Sequence, residues 1–109
     1  MPQGRPTIST HVLDTGAGRP AAGVRISCLR VDGEVAEPVG RGVTNDDGRM
    51  GDLLGGRELV ASVYRLRFDF EPGGFFESVV LDFRVDDPGR SYHVPLLLAP
   101  YGLTSYRGS

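Results

Sequence analysis

Two histidines, and an arginine that follows a tight turn, are the side chains in this 109-residue sequence best suited to acid–base chemistry. His11 and His93 are its only histidines, and an imidazole can take up or release a proton near neutral pH. Arg49 follows the turn residues 45–48, and a guanidinium group is a rigid, charged donor that binds carbonyl oxygens well. Each of the three also fits an ordinary half-exposed side chain, so these residues alone leave both interpretations open.

The end of the chain is a fourth candidate. An alternating stretch that begins at Gly102 runs to the last residues, which are Tyr106, Arg107, Gly108 and Ser109. Chain ends are usually frayed, whereas a strand that reaches the terminus would hold a carboxylate in a fixed position. The alternation therefore permits a functional terminus but does not require one.

Other chemistries have weaker support in the sequence. Two histidines could begin a metal site, but no third ligand is marked by its spacing. The single cysteine, Cys28, excludes an internal disulfide, and its apolar alternating surroundings favour a buried, inert thiol. The glycine pairs lack a phosphate-binding context, and no serine lies in a nucleophile-elbow motif. We expect neither a metal nor a cofactor.

Short apolar runs separated by 16 glycines and 8 prolines predict an all-β protein. In the first run, Ile8, Thr10 and Val12 face one way, while His11 faces the other. In the run 91–99, His93 likewise lies opposite the apolar face. We predict seven or eight strands in a two-sheet antiparallel sandwich, with both histidines directed away from the core.

Two further features concern an interruption within one run and the connection between two others. Pro95 interrupts the run 91–99 and predicts an edge position or a bulge there, because proline has no N–H to donate. The long runs 59–70 and 75–85 are joined only by the turn residues 71–74.

The composition predicts one small domain, 7–109, after a flexible tail, 1–6. A net charge of −2 and a pI near 5.6 argue against nucleic-acid or membrane partners. The sequence has neither a signal-peptide pattern nor about 20 successive apolar residues, so we expect a cytoplasmic protein. A domain of this size would gain from burial against other subunits.

Three stretches resemble one known family. They are 8–15 (ISTHVLDT) with 18–21 (GRPA), 44–49 (TNDDGR), and 92–102 (YHVPLLLAPYG) with the final 106–109 (YRGS). Together they resemble the 5-hydroxyisourate hydrolases, the enzyme relatives of the hormone carrier transthyretin. The resemblance covers about 7–109, and the HVPLLL and YRGS segments are its most specific parts, because the carrier branch lacks both the histidines and this ending.

The resemblance implies a transthyretin-like sandwich that hydrolyses 5-hydroxyisourate and assembles as a homotetramer, with its sites in a channel where two dimers meet. It implies that one histidine activates a water molecule, without saying which, and that arginine anchors the substrate. The implied catalytic residues are His11, Arg49, His93 and Ser109. The implied substrate-binding residues are His11, Arg49, Tyr106, Arg107, Gly108 and Ser109.

The sequence departs from the family between the runs 59–70 and 75–85, where members carry a short helix. We expect this helix to be absent or reduced to a turn. A further departure is the segment 102–105, which differs from the usual family ending. Two alternatives stay open: a non-catalytic transthyretin-like module that binds a small ligand, and an accessory sandwich of the carboxypeptidase-regulatory type. The second leaves HVPLLL and YRGS unexplained.

Overall fold

The computed structural model describes residues 5–108, which form a sandwich of two β-sheets. Most of the expected tail and Ser109 lie outside this range. Within it the structure contains ten strands rather than seven or eight, because β2, β5 and β8 are segments of two residues. The strands are β1 (Ile8–Asp14), β2 (Arg19–Pro20), β3 (Arg25–Asp32), β4 (Val35–Val43), β5 (Arg49–Met50), β6 (Ser62–Asp69), β7 (Ser78–Val85), β8 (Tyr92–His93), β9 (Leu96–Leu98) and β10 (Leu103–Ser105). The predicted all-β sandwich is confirmed.

Strand β1 lies at the centre of the first sheet. It pairs antiparallel with β2 and β5, and parallel with β8 and β9, while β10 runs antiparallel to β9. The second sheet is antiparallel throughout, in the order β4-β3-β6-β7. Four strands therefore pair with β1, and three of them, β5, β8 and β9, come from distant parts of the sequence.

The core lies between the two sheets and follows the alternation of the strands. On β1, the side chains of Ile8, Thr10 and Val12 are buried, whereas His11 is only half-buried. From the second sheet, β6 contributes three of the most buried side chains, which are Tyr64, Leu66 and Phe68. Because neighbouring residues of a strand point to opposite faces, burying one set directs the other outward. The predicted orientation of the histidines, away from the core, is confirmed.

Cys28 belongs to this core. It lies on β3 and is fully buried. Burial raises the pKa of its thiol to about 12, so the reactive thiolate is scarce at neutral pH. The predicted burial of Cys28 is confirmed, and its raised pKa is consistent with the expected inert thiol.

Pro95 interrupts the ladder between β8 and β9. The residues facing β1 keep one register on both sides of it, with Ser9 opposite His93 and Val12 opposite Leu96. An inserted residue would have shifted this register, and β9 lies between β1 and β10 rather than at an edge. The prediction of an edge or a bulge was therefore wrong. The prolyl nitrogen cannot donate a hydrogen bond, so one ladder bond is missing, but the strand keeps its register against β1.

A loop, 70–77, connects β6 to β7. It is closed by a hydrogen bond from the Phe70 N–H to the Glu77 carbonyl (3.1 Å), and Phe75 and Phe76 belong to it rather than to β7. No helix occurs in residues 5–108, which confirms that the family's short helix is absent. Accordingly, this part of the chain holds no helix with the length and apolar character of a membrane span.

Candidate active site

The outward face of β1 brings the predicted side chains together. His11 lies directly opposite Arg49 of β5, and Ser9 lies opposite His93 of β8. Residues opposite one another on neighbouring strands have Cβ atoms about 5 Å apart. Ser9 and His11 are two residues apart, about 7 Å along the same face. Two histidines, an arginine and a serine thus share one face of the sheet.

The loop before Arg49 is held by the side chain of Asn45. Its Oδ1 accepts hydrogen bonds from the N–H groups of Asp47 and Arg49, each at 2.9 Å. The Asn45 carbonyl accepts a third from the N–H of Gly48 at 2.8 Å. Asparagine is favoured in such turns because its short side chain can bond to the backbone a few residues on. The loop is therefore fixed from within before it reaches β5.

Gly48 sets the distance between this loop and β1. Its carbonyl accepts a hydrogen bond from the Val12 N–H at 2.7 Å, and its φ of +75° lies in the left-handed region. A Cβ at this position would lie 2.3 Å from the Val12 carbonyl oxygen. Glycine alone satisfies both conditions, so Gly48 allows Arg49 to pair with His11.

His11 is held by a backbone group. Its Nε2 lies 2.8 Å from the carbonyl oxygen of Asp47. A carbonyl oxygen can only accept a hydrogen bond, so Nε2 must carry the hydrogen. In the neutral ring the lone pair is then on Nδ1.

His93 is held from two sides. Its Nδ1 lies 2.9 Å from the Ser9 hydroxyl, and its carbonyl accepts a hydrogen bond from the Gly108 N–H at 2.7 Å. A Cβ at position 108 would lie 2.7 Å from the ring atom Cδ2. Gly108 thus lets the last described residues pass against the imidazole without displacing it.

Burial lowers the pKa of His93 below its ordinary value of 6.5, and the charges of Arg49 and His11 lower it further. Burial disfavours the charged imidazolium, and two nearby cationic groups repel it. The ring is therefore mainly neutral at pH 7. A neutral imidazole can accept a proton, which is what a general base requires.

An open depression of about 480 Å³ adjoins these residues. It is lined by Ser9, Thr10, Arg49, Met50, Gly51, Ser91 and His93. His11 lies beside it, paired with Arg49, rather than in its lining. The volume is of the order that small-molecule sites have.

Two of the four predicted terminal residues lie elsewhere in the structure of the single chain. Tyr106 and Arg107 are exposed and border a different depression, of about 210 Å³, together with Phe83 and Tyr92. Gly108 is the only one of the four that the described part of the chain places against a histidine.

Within residues 5–108, the other depressions lack this combination of groups. A cavity of about 330 Å³ near Asp14, at the far end of β1, is lined mainly by apolar side chains and by neither histidine nor arginine. Residues 5–108 contain no group of three His, Cys, Asp or Glu side chains placed to hold a metal ion. The face of β1 that carries His11 is therefore the candidate site.

Comparison with known proteins places the chain in a family. Residues 8–108 match the HIUase/Transthyretin family. The chain belongs to it. A relative from Deinococcus radiodurans named 5-hydroxyisourate hydrolase is 42% identical, over 97% of this chain and 98% of the relative. The solved structure of Klebsiella pneumoniae 5-hydroxyisourate hydrolase is 33% identical, with a TM-score of 0.82, over 95% of this chain and 99% of the other.

The carrier branch of the family is also close in fold. Transthyretin from Sparus aurata has a TM-score of 0.85 over 95% of this chain and 97% of its own, at 25% identity. Backbone similarity therefore does not separate the two branches. The higher sequence identity lies with the hydrolases.

Two residues of the site did not stand out in the sequence. Ser9 shares a face with His11, but its partner His93 is 84 positions away, and no local pattern reveals that pairing. Asn45 was visible as part of a turn. Its role in orienting Arg49 depends on two hydrogen bonds that only the folded loop shows.

Replacing Gly48 tests the close approach of the loop to β1. Gly48→Ala adds both left-handed strain and a collision with the Val12 carbonyl. Gly18→Ala is the matched control, because Gly18 has a similar φ of +71° and open space around it. We expect Gly18→Ala to cost about 1–2 kcal/mol of unfolding free energy, and Gly48→Ala to cost at least about 1 kcal/mol more. Equal losses in urea titrations of the two variants would contradict the collision.

The pKa of His93 can be followed by NMR titration of its ring protons. We expect it to lie below 6.5 and to rise in Arg49→Gln, because one neighbouring positive charge is removed. Arg25→Gln, on the other sheet, is the control and should leave it unchanged. Because the folded pKa is the lower one, the unfolded chain binds the proton first as the pH falls below 6.5, and the folded state loses stability. A wild-type pKa at or above 6.5 would contradict this account of the site.

Proposed function

We propose that this protein hydrolyses 5-hydroxyisourate to 2-oxo-4-hydroxy-4-carboxy-5-ureidoimidazoline, a step in the degradation of urate. The observation that carries the proposal is the meeting of His11, Arg49 and His93 on one face of the first sheet. The relatives named 5-hydroxyisourate hydrolase support the same substrate.

The reaction opens a six-membered ring at a carbonyl carbon. A water oxygen forms a bond to that carbon, the carbonyl oxygen becomes an oxyanion, and the carbon–nitrogen bond then breaks. One proton must leave the water, and one must reach the departing ring nitrogen. A neutral histidine can take the first proton and return it to the nitrogen, a transfer worth about 10²–10⁴-fold in rate.

In this mechanism His93 is suited to be the base, since its lowered pKa keeps the ring neutral. His11 carries its hydrogen on Nε2, bound to the Asp47 carbonyl, and orients water or substrate from the neighbouring position. The Arg49 guanidinium anchors the ring carbonyls and stabilises the oxyanion as it forms.

The remaining parts of the proposed site come from the chain end and from other subunits. We expect Tyr106, Arg107, Gly108 and Ser109 to contribute to substrate binding, with Ser109 helping to position the water. The depression beside His93 is open on the single chain. In a homotetramer formed from two dimers, a second subunit would cover this depression and exclude bulk water. We expect the protein to act in the cytoplasm.

The alternative is a non-catalytic module that binds a small ligand at the same place. The high structural similarity to a transthyretin favours it, while the presence of both histidines favours the hydrolase. An activity measurement separates the two.

The test is to generate 5-hydroxyisourate freshly from urate and to follow its ultraviolet absorbance in the presence of the protein. We expect decay well above the spontaneous rate, and a loss of about 10²-fold or more in kcat/KM for Arg49→Lys, because an ammonium group cannot reproduce the two-pronged donor. Arg25→Lys is the control and should keep wild-type activity. Decay at the spontaneous rate with folded wild-type protein would reject the enzyme and favour the binding module.

Assembly can be measured separately, by light scattering coupled to gel filtration. We expect a mass of four times the 11.7 kDa chain. A monomeric mass at the concentrations used for the assay would contradict the tetramer, without bearing on the fold of the single chain.

A further inference from the structure

We propose that Ser9 is a positioning residue for His93: its hydroxyl accepts the Nδ1–H of the imidazole, so that the ring presents the lone pair of Nε2 to a ligand in the depression. This inference rests on the proposed hydrolase function and names a residue to which the resemblance assigns no role.

The contact itself is well defined. Ser9 Oγ lies 2.9 Å from His93 Nδ1, and the pair is partly buried. Within residues 5–108, this is the only side-chain hydrogen bond of either group. The hydroxyl therefore has no competing partner in the part of the chain that the structure describes.

The backbone prevents the two residues from sliding past each other. Tyr92 N–H donates to the Thr7 carbonyl, and Val94 N–H donates to the Ser9 carbonyl, each at 2.9 Å. These two hydrogen bonds flank the pair and fix its register. On the other side of the ring the chain passes close by, since the Gly108 N–H donates to the His93 carbonyl and a Cβ at position 108 would lie 2.7 Å from Cδ2.

A hydroxyl can donate or accept, and the direction decides which nitrogen is basic. If Ser9 donated to Nδ1, then Nε2 would carry the hydrogen, and the ring could not take a proton from water through Nε2. If Ser9 accepts from Nδ1–H, the lone pair of the neutral ring is on Nε2. The Nδ1–H bond then persists after Nε2 is protonated. Only the second arrangement allows His93 to act as a base through Nε2 and keeps the hydrogen bond to Ser9 in both the neutral and the protonated ring.

A serine differs from the carboxylate that orients histidine in many hydrolases. A carboxylate would raise the pKa of the imidazole by its charge, whereas a hydroxyl orients the ring without adding charge. The charged or titratable groups that lower the pKa of His93 are Arg49 on β5 and His11 on β1. Ser9 thus fixes the ring while leaving it neutral.

The first measurement needs no substrate. Protein labelled with ¹⁵N in its imidazoles gives two-bond ¹H–¹⁵N correlations that distinguish the two neutral tautomers, and His11→Gln assigns the two rings. We expect the Nδ1–H tautomer for His93 in the wild type, and a shift toward Nε2–H in Ser9→Ala. We also expect the pKa of His93 to fall further in Ser9→Ala, because the imidazolium loses an acceptor. An Nε2–H tautomer in the wild type overturns the proposal.

The second measurement is kinetic. We expect Ser9→Ala to lower kcat by about tenfold to a hundredfold, because the His93 imidazolium that forms during the reaction loses a hydrogen-bond acceptor. In Ser9→Ala, KM should change by less than about twofold, and the acid limb of the pH profile should move to lower pH. Ser9→Thr, which keeps a hydroxyl group, should retain most of the wild-type activity. Ser62→Ala is the matched control, because Ser62 is a half-buried serine on β6 of the second sheet, and its hydroxyl donates to the Val31 carbonyl of the neighbouring β3.

The outcomes separate this inference from the proposed function. If Ser9→Ala matches Ser62→Ala in both tautomer and kcat, Ser9 does not position His93. If the wild type shows the Nδ1–H tautomer but does not hydrolyse 5-hydroxyisourate, the pairing stands and the hydrolase proposal fails. If Ser9→Ala does not fold, the wild-type tautomer and the Ser9→Thr variant decide the question.

Discussion

Strand β1 imposes the constraint on which the site depends. Its residues alternate between the core and the outer face, and the burial of Ile8, Thr10 and Val12 admits only one orientation. A slip of one residue would turn these side chains outward and the site residues inward. The hydrogen bonds of β1 to β5 and β8 then align Arg49 and His93 with the outward residues. The same apolar contacts that stabilise the sandwich therefore also assemble the site.

The electrostatics of the site follow from this crowding. An arginine and two imidazoles share a small area of sheet, and the guanidinium group of the arginine is permanently charged. Burial disfavours a charged imidazolium, and a second positive charge beside the arginine is also unfavourable, so the pKa of the partly buried His93 is lowered. Ser9, the asparagine-held loop and Gly108 supply orientation through neutral groups. The arrangement places the fixed charge of Arg49 next to the His93 ring, which stays mainly neutral at pH 7.

The fold was predictable because its signals are local. Alternation over 59–70 identifies the buried side chains of β6 without knowledge of the neighbouring strands, and the four-residue turn after it excludes a helix. The pairing of β1 with β8 has no local signal, since it joins Ser9 to a residue 84 positions away. For the same reason Ser9 was missed and the behaviour of Pro95 was misjudged. His11, Arg49 and His93 were identified through their motifs, and their catalytic roles, like those of Tyr106 to Ser109, stay predictions.

The parallel pairing of β1 with β8 also bears on how the protein folds. Closing a loop of more than 80 residues carries a large entropic cost before any contact offsets it, and proteins rich in such long-range pairs fold slowly. During synthesis, β1 is made before β8 and β9, and the backbone donors and acceptors that face these two strands stay unpaired until then. A strand with an unpaired edge and an apolar face is prone to association with other chains. The geometry that joins the two histidines therefore makes the nascent chain vulnerable until β8 and β9 have been synthesised.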